Sequence, residues 1–322
     1  MSNNNSGKEN PLVKLLKLSF GLLCFFSFAS LLSTWWWRFE LFSHWCYHYT
    51  LLFLPGLFYF GWKRKFIPLA IGLIFVCWGL WQIVPLYQNP ILLGRAAEEN
   101  DKGLRILLFN VDSDLFLQER DHKSLEFDPF KAVVNEYDPH ILALNEFFTK
   151  WAKGIESIRA RYPHGLFDST SKLVGPAIWS KIPLTSCEAK KFGTVSVHSM
   201  VATLQMGEKD VTLLVTHALP PIKKVLFQAR NAQFAEMVKK RDHMGKSLIV
   251  CGDFNSTTFS PYLRNFCQDM GLYDARAGFG LQATWPTFFP PLAITIDHFF
   301  LSPDFQVKKY EVGPRLSSDH YP

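Results

Sequence analysis

Charged side chains are scarce in the first 94 residues. Of the 34 lysines and arginines and the 28 aspartates and glutamates in the 322-residue chain, this part contains only seven and two. It holds instead three nearly uncharged apolar stretches, at 12–37, 41–62 and 66–87, each about as long as the ~20 residues that cross a bilayer. We therefore predict a membrane domain of three transmembrane helices over residues 1–93, followed by a polar linker at 94–103.

Two other interpretations explain these apolar stretches less well. A cleavable signal peptide needs a small-residue cleavage site, which the first stretch lacks, and it would not be followed by two further spans. A buried helical bundle would show polar faces at helical spacing, which these stretches do not.

The positive charges of this part fall into two clusters. Lys8, Lys14 and Lys17 precede or begin the first stretch, and residues 63–65 are all basic and separate the second stretch from the third. Short cytoplasmic loops are enriched in lysine and arginine, so both clusters are expected inside. Three spans then predict a multi-pass protein of the cytoplasmic (inner) membrane, with a cytoplasmic N-terminus and an extracytoplasmic C-terminal domain.

The C-terminal domain, 104–322, lacks both a charge excess and cysteine motifs. Residues 95–322 contain 27 basic and 26 acidic side chains, whereas proteins that hold nucleic acid by its phosphates are usually strongly basic. Its three cysteines form no C-x-x-C pair, so no thiolate metal site or disulfide framework is indicated. Cys251 ends an apolar run, and we expect it to be a core residue.

Polar residues follow the ends of several predicted strands in this domain. Apolar runs of strand length occur at 104–109, 141–144, 211–216, 248–251 and 294–301. The polar residues at or near such strand ends, and in the last residues of the chain, are Asn110, Glu146, His217, Asp253, Asn255, Asp297, Asp319 and His320. Singly, each has an ordinary explanation as a helix cap, a turn residue or a surface histidine. Their repetition predicts one shared site for metal or phosphate chemistry.

The segment Gly-Asp-Phe-Asn, 252–255, concentrates this signal. In an extended chain Asp253 and Asn255 point to the same side, and Phe254 points into the core. Gly252 permits a turn or a close backbone approach. Carboxylate and amide oxygens are the hard ligands that Mg²⁺ and Mn²⁺ prefer, although a simple turn is the alternative for this segment alone.

Strand and helix patterns alternate along the domain, as in α/β proteins. Helices are predicted at 128–137, 149–160 and 224–242. Further strands are predicted at 176–179, 198–206 and 305–311, the second of these forming a hairpin with 211–216.

Seven motifs of the domain resemble, in their order, the endonuclease/exonuclease/phosphatase superfamily of metal-dependent phosphoesterases. They are LLFNV (107–111), DPHILALNE (138–146), GPAIWSKIPL (175–184), LLVTHALPP (213–221), LIVCGDFNSTTFSP (248–261), ITIDHFFLSP (294–303) and SSDHYP (317–322). The resemblance implies a four-layer α/β sandwich, with two mixed β-sheets face to face and helices outside. In its membrane-anchored architecture the chain resembles the branch that includes teicoplanin-resistance-type proteins.

The same resemblance implies the residues that hold a Mg²⁺ or Mn²⁺ ion and the phosphate. Glu146 resembles the principal metal-binding carboxylate, and Asp319 resembles a further acidic ligand. Asn110 resembles the amide that helps to hold the metal or the phosphate, and Asn255 resembles the amide that steadies the phosphate oxygens.

Four residues resemble the family's catalytic groups. Asp253 resembles the aspartate that aligns or deprotonates the attacking water. His320 resembles the histidine that contacts the scissile phosphate, and Asp297 the acid that orients that histidine. His217 resembles a histidine that, in the nuclease branch, stabilises or protonates the leaving group.

The sequence departs from the family pattern in three places. Asn145 stands where glutamine is more common, and Lys181 stands where arginine is common. The family usually continues into an apolar strand after the final Asp-His, whereas this sequence ends at Pro322. Either the sequence is cut short after Pro322 or the last strand is absent. In the second case we expect His320 to lie on an unanchored tail, and an inactive membrane scaffold follows as one alternative function.

The expected function is hydrolysis of a membrane-proximal phosphoester by metal-assisted attack of water. A linker of about ten residues reaches at most ~35 Å, which keeps the domain near the bilayer. The membrane-anchored branch indicates a membrane lipid or lipid-linked phosphate, such as a polyprenyl (pyro)phosphate, as substrate. The alternative is an extracytoplasmic endonuclease or exonuclease that acts on DNA or RNA, which His217 favours and the near-neutral domain charge opposes.

Overall fold

The computed structural model describes residues 9–88, 103–112, 127–167, 174–194 and 198–322. The chain divides into two compact units, Met1–Pro85 and Leu86–Pro322. The predicted linker, 94–103, lies outside the described residues apart from Gly103.

The described part of the first unit is helical. Its helices are α1 (Pro11–Leu31), α2 (Trp37–Ser43), α3 (Cys46–Leu52), α4 (Leu54–Trp62) and α5 (Phe66–Ile83), the last continuing into a 3-10 turn, Val84–Tyr87. Two helices, Pro11–Leu31 and Phe66–Tyr87, are long and apolar enough to cross a membrane, with mean hydropathies of 1.8 and 2.1. Of the three predicted long helices, the described residues therefore form two, and the middle stretch is divided among α2, α3 and α4.

A proline interrupts this middle stretch. Pro55, at the second position of α4, has no backbone N–H to donate, so a bend is expected where the helix is interrupted between α3 and α4. The hydrogen-bond ladder continues across the bend, because Phe53 N donates to Tyr49 O and Leu57 N donates to Phe53 O, each at 3.0 Å. The 7 residues of α3, Phe53 and the 9 residues of α4 thus form one bent segment, about 25 Å long at ~1.5 Å per residue.

The second unit contains two mixed β-sheets flanked by helices, as predicted. Its strands are β1 (Ile106–Asn110), β2 (Ile141–Phe147), β3 (His164–Phe167), β4 (Gly175–Ser180), β5 (Leu184–Lys190), β6 (Ser199–Met206), β7 (Lys209–His217), β8 (Ser247–Asp253), β9 (Tyr273–Asp274) and β10 (Asp297–Leu301). The strand orders are β1-β2-β4-β3 and β5-β6-β7-β8-β10-β9, with parallel pairs β1-β2 and β7-β8. The helices are α6 (Phe127–Tyr137), α7 (Thr149–Gly154), α8 (Glu156–Arg159), α9 (Lys224–Lys239) and α10 (Pro261–Asp269).

Buried apolar residues form three layers that separate these elements. The two sheets meet through a central layer that includes Ile178, Leu213 and Cys251, all fully buried. Trp151 of α7 belongs to the layer outside the four-stranded sheet, and Phe234 of α9 belongs to the layer outside the six-stranded sheet. The order is therefore helix, sheet, sheet, helix, and the prediction that Cys251 is a core residue is confirmed.

Strand register brings the predicted polar residues to one edge of the domain. Asn110 at the end of β1 pairs with Asn145 on β2. On the other sheet Asp253, at the end of β8, pairs with His217 on β7 and with Asp297 on β10. Because the paired strands β1 and β2, and likewise β7 and β8, are parallel, their carboxyl ends meet at the same edge.

Three predicted elements differ in the structure. The helix expected at 149–160 is divided into α7 and α8 at Ile155, which has φ −106° and ψ 17°. The helix expected at 224–242 ends as α-helix at Lys239. Residues 305–311 form no strand, because β10 pairs with β8 and β9, and the side chains of Phe305 and Val307 pack on the central layer instead.

Gly252 makes the close contact between β7 and β8 possible. Its φ is +144°, and a Cβ atom there would lie 1.8 Å from the carbonyl oxygen of Thr216. Real Cβ atoms essentially never lie this close to backbone, so a larger residue forces the strands apart. The glycine therefore permits the register that sets His217 beside Asp253.

We expect Gly252→Ala to destabilise the protein by about 3–5 kcal/mol, since it combines strain at a special φ with a backbone clash. Gly207, in the turn between β6 and β7, is the matched control: its φ is +61°, but a Cβ there meets nothing within 4 Å. Gly207→Ala should cost only about 1–2 kcal/mol. Thermal unfolding of the full-length chain in detergent measures both, and equal losses would contradict the assigned role of Gly252.

Candidate functional site

The strand β2 is irregular where it reaches the polar edge. Its register with β4 shifts between Leu144 and Phe147, and Glu146 has a left-handed backbone with φ +55°. Such a conformation costs a residue other than glycine about 1–3 kcal/mol and clusters at functional sites. At this bulge the Glu146 side chain meets the neighbouring strand ends and stays 19 % exposed.

Asn110 connects Glu146 to the other sheet. Its Nδ2 donates to Glu146 Oε1 at 3.1 Å and to Asp253 Oδ2 at 3.0 Å. Its Oδ1 accepts from the backbone N–H of Asp112 at 3.0 Å. One buried amide thus holds two carboxylates together, and it presents its nitrogen to them.

Asp253 and Asn255 form a fixed turn at the end of β8. Asp253 Oδ1 accepts from the backbone N–H of Asn255 at 2.7 Å, and Asn255 is left-handed with φ +48°. The side-chain Nδ2 of Asn255 donates to Ala218 O at 2.9 Å and lies 3.3 Å from His217 Nε2. The turn therefore joins the end of β8 to the segment that follows β7.

His217 lies between two carboxylates. Its Nε2 is 3.6 Å from Asp253 Oδ2 and 3.7 Å from Glu146 Oε1. Both distances exceed those of a hydrogen bond, and the side chain is 18 % exposed. The imidazole can therefore contact a bound substrate without first breaking a hydrogen bond to either acid.

His320 is oriented by Asp297. Its Nδ1 lies 2.8 Å from Asp297 Oδ2, and its Nε2 lies 3.7 Å from both Asp253 Oδ2 and Asp319 Oδ1. Burial alone would lower the pKa of His320, but the adjacent Asp297 carboxylate raises it to about 10. Burial, with a contribution from Asp297, raises the pKa of Asp253 to about 6, against the opposing charges of His320 and His217.

The last residues of the chain are held firmly in the domain. Ser318 Oγ donates to Asn110 O at 2.7 Å and accepts from the backbone N–H of His320 at 3.0 Å. Tyr321 N donates to Thr284 O at 2.8 Å. The expectation that His320 lies on an unanchored tail is therefore wrong, because hydrogen bonds to β1 and to the loop before β10 keep it buried.

The structure places all eight predicted site residues in one network, in which each lies within 3.7 Å of another member. Three further residues support this network, although no role was predicted for them from the sequence: Asn145, Trp285 and Ser318. Asn145 Nδ2 donates to Thr216 O at 3.1 Å, from one sheet to the other, and Trp285 Nε1 donates to Asp319 Oδ2 at 2.8 Å. Only the motif positions of Asn145 and Ser318 carried a signal, because Trp285 lies in a loop without periodicity.

The donor set of the network fits a divalent cation. Four carboxylates belong to the network, beside one histidine whose pKa is about 10, and this surplus of negative charge opposes phosphate binding unless a cation offsets it. They are Glu146, Asp253, Asp297 and Asp319. The buried Oδ1 of Asp297 has no hydrogen-bond partner among the described residues, so the network has unused acceptor capacity.

Two different groups of residues could hold the cation. Ligand atoms of Asp253, Asp297 and His320 lie within 4.8 Å of one another, but these three side chains are at most 7 % exposed and hydrogen-bonded internally. The side chains of Glu146 and Asp319 are 19 % and 37 % exposed. Mg²⁺ retains several waters, so a partly exposed carboxylate suits it better than a fully buried one.

Asn110 could act as the predicted metal ligand only after one of its hydrogen bonds opens. Its Oδ1 accepts the hydrogen bond from Asp112, so ligation through this oxygen requires that bond to open. Its Nδ2 already orients Glu146, so Asn110 supports the predicted metal ligand in the conformation observed.

Comparison with known sequences identifies one family. The model described as the Endonuclease/Exonuclease/phosphatase family matches residues 107–320, about two thirds of the chain. No curated protein sequence matches the chain.

Solved structures share the fold at low sequence identity. D. rerio TDP2 complexed with a single-strand DNA product has a TM-score of 0.55 and 17 % identity, over 69 % of this chain and 97 % of that one. Truncated Caenorhabditis elegans TDP2 has a TM-score of 0.54 and 20 % identity, over 68 % and 94 %. A β-hairpin deletion mutant of Staphylococcus aureus beta toxin has a TM-score of 0.52 and 18 % identity, over 69 % and 98 %. At these identities the similarity concerns the fold.

Asp297→Asn should flatten the dependence of stability on pH. The pKa of His320 in the folded chain, about 10, exceeds the ordinary histidine value of 6.5, so its stabilising contribution is complete below about pH 6.5 and is lost as pH rises toward 10. Without the Asp297 charge this decline should shrink. The measurement is the unfolding midpoint of the full-length chain between pH 6.5 and 10, with EDTA present.

Asp304→Asn is the matched control for this measurement. Although partial burial opposes it, hydrogen bonds from Ser247 and Ser302 hold the pKa of Asp304 below its usual value. Its contribution is therefore already complete at pH 6.5, and its loss should shift the midpoint without changing the slope. An unchanged slope in Asp297→Asn would contradict the charge assigned to His320.

Proposed function

The chain belongs to the endonuclease/exonuclease/phosphatase family, and on this basis we propose that it is a membrane-anchored enzyme that hydrolyses a lipid-linked phosphoester, such as a polyprenyl (pyro)phosphate, with Mg²⁺ or Mn²⁺. Members of the family are metal-dependent phosphoesterases and nucleases, and the chain is accordingly a metal-dependent phosphoester hydrolase. The observation that carries the proposal is the convergence of acid, amide and imidazole groups at one sheet edge, in a chain with two helices able to cross a membrane.

Asp253 is the group proposed to take the proton of the attacking water. With a pKa of about 6 it is mostly ionised at neutral pH and still basic enough to accept a proton. Hydrogen bonds from Asn110 and from the backbone of Asn255 fix both of its oxygens. Glu146 and Asp319, supported by Asn110, would hold a cation, which would supply charge stabilisation at the phosphoryl oxygens.

The two histidines have separate places in the proposed reaction. His320 keeps a proton at neutral pH, and its Nε2 faces the site, so it can donate a hydrogen bond to a phosphoryl oxygen. Asp297 occupies Nδ1 and fixes the ring orientation. His217, which is more exposed, is placed to contact the leaving oxygen, and the side chain of Asn255 is placed to steady the phosphate.

A lipid-linked substrate is supported by the first unit. Helices Pro11–Leu31 and Phe66–Tyr87 are apolar over bilayer length, and the domain's first described residue, Gly103, follows 16 positions after Tyr87. At ~3.5 Å per residue this chain reaches at most about 60 Å, so an anchored domain stays near the membrane surface. The near-neutral charge of residues 95–322 weighs against nucleic acid as substrate.

The side of the membrane on which the domain lies depends on the bent segment of α3 and α4. Two crossings would return the chain to the side of its N-terminus, whereas three crossings would place the domain opposite. The bent segment matches the lower limit of spanning length, about 17 residues, and proline bends are tolerated in such helices. We therefore propose that it crosses as one bent helix, which makes the domain extracytoplasmic.

The location of the domain can be measured by cysteine labelling. Glu208 is exposed in the turn between β6 and β7, so Glu208→Cys should react with a membrane-impermeant maleimide in intact spheroplasts, beyond the background of the unsubstituted chain. Ser2→Cys, in the N-terminal segment, should react only after permeabilisation. The reverse pattern at position 208 would show an even number of crossings and a cytoplasmic domain.

Phosphate release from undecaprenyl pyrophosphate by the full-length protein in detergent with Mg²⁺ tests the proposed activity. Asp253→Asn and Glu146→Gln should each lower turnover by at least about 10²-fold, the range for loss of a general base or of metal assistance. EDTA should abolish release and Mg²⁺ or Mn²⁺ should restore it. Glu208→Gln is the matched control and should leave turnover unchanged. Glu208 is an exposed carboxylate in the turn before β7, at the opposite end of that strand from His217.

Two results would overturn the lipid assignment in different ways. Nicking of supercoiled plasmid that depends on Asp253, without phosphate release from lipid, would establish the nuclease alternative. Inactivity on lipid, plasmid and soluble phosphoesters, with the fold intact, would favour the inactive membrane scaffold.

A further inference from the structure

Two loops at the mouth of the site expose apolar side chains, and we propose that they form a docking surface for an anionic lipid bilayer. The loops are 218–225, which follows β7 and runs into the first turn of α9, and 285–293, which precedes β10. We call them together the docking loops. This docking surface rests on the proposed function, because a lipid-linked substrate gives the site a reason to lie at the bilayer surface.

Exposed apolar side chains are concentrated on the docking loops. Among the described residues of the second unit, seven large apolar side chains are exposed, and five lie on these loops. The five are Ile222 (60 % exposed), Val225 (66 %), Phe288 (66 %), Phe289 (49 %) and Leu292 (47 %). The other two are Leu166, on β3, and Tyr87, near the start of the unit. Single exposed apolar residues are ordinary, but a cluster marks an interaction surface.

Both docking loops start from residues of the site. Ala218 N donates to Asp253 O at 2.8 Å, and Ala218 O accepts from the Asn255 side chain. In the second loop Trp285 Nε1 and Thr287 N both donate to Asp319, at 2.8 and 2.9 Å. At ~3.5 Å per residue, the exposed side chains lie within about 25 Å of these contacts. A surface that touches both loops therefore lies close to the catalytic edge.

Prolines restrict the backbone of the docking loops. The first loop contains Pro220 and Pro221, and the second contains Pro286, Pro290 and Pro291. Fixed φ angles reduce the conformational freedom that binding would otherwise remove, so the apolar side chains are presented outward in advance. Binding to a surface then needs little ordering of these loops.

Charge selects an anionic bilayer as the partner. Lys223 and Lys224, both exposed, separate Ile222 from Val225, and neither docking loop contains an acidic residue. Apolar side chains combined with lysines suit an interface of acyl chains and anionic headgroups. A second copy of the same basic surface would instead meet like charge.

Photolabelling of the full-length protein in nanodiscs tests the docking surface directly. The nanodiscs contain phosphatidylglycerol, phosphatidylethanolamine and a phospholipid with a diazirine at the end of an acyl chain. We expect lipid adducts on peptides that cover 222–225 and 286–292, in addition to α1 and α5, and none on β3 with its exposed Leu166. Adducts confined to the first unit would overturn the proposal.

A charge-reversed variant adds a matched comparison. Lys223→Glu/Lys224→Glu should lower the adduct yield on the unaltered loop 286–292 by about tenfold, because each lysine near an anionic surface contributes to binding. Lys239→Glu/Lys240→Glu, the same change at exposed lysines at the end of α9, should leave that yield unchanged. Equal yields for both variants would refute the contribution of charge on which the choice of an anionic bilayer depends.

Failure of the docking surface can be distinguished from failure of the proposed function. Labelled loops in a protein that releases no phosphate from lipid would support docking and refute the lipid substrate. Lipid hydrolysis by a protein whose docking loops are not labelled would support the lipid substrate and refute the docking surface.

Discussion

The buried amide of Asn110 is the contact on which the catalytic edge depends. Its Nδ2 donates to Glu146 on its own sheet and to Asp253 on the opposite sheet, at 3.1 and 3.0 Å. Two carboxylates held so close repel each other unless donors or cations lie between them. The amide supplies that donor, and Ser318 fastens the His320 segment to the carbonyl oxygen of the same residue. One side chain and its backbone thus join three segments that are distant in sequence.

Local environment assigns different charge states to neighbouring histidines. His320 is buried against the carboxylate of Asp297, which raises its pKa to about 10. His298, one residue after Asp297, is buried against Ser256 O, and burial together with the charge of Arg276 lowers its pKa to about 4. Two histidines thus have opposite charge states: His320 supplies a positive charge at the site, and His298 is a neutral core residue behind it.

The sequence predicted the parts of this structure that depend on local pattern. Apolar runs marked the strands that carry Asn110, Glu146, His217 and Asp253, and parallel pairing brought their ends together. Contacts between segments that are distant in sequence could not be predicted in this way. The hydrogen bond from Trp285 to Asp319 is one example, and the lack of a partner strand for residues 305–311 is another. In the middle apolar stretch the prediction from composition was wrong for a local reason, because one continuous helix was expected there in spite of Pro55. The order of the family motifs was the most informative signal, since the motifs contain all eight residues of the network.

The central apolar layer has a further consequence for the site. Glu146 belongs to one sheet and His217 to the other, yet their side chains approach to 3.7 Å. Ile178, Met200 and Leu213 lie between the sheets, fully buried. Protein interiors are too densely packed to absorb a change of volume without movement, and small displacements of reacting groups are costly. The core thus acts as a spacer whose thickness sets the separation between the polar side chains that end the two sheets, and the tolerance of these apolar positions to substitution should be limited by that separation before it is limited by folding.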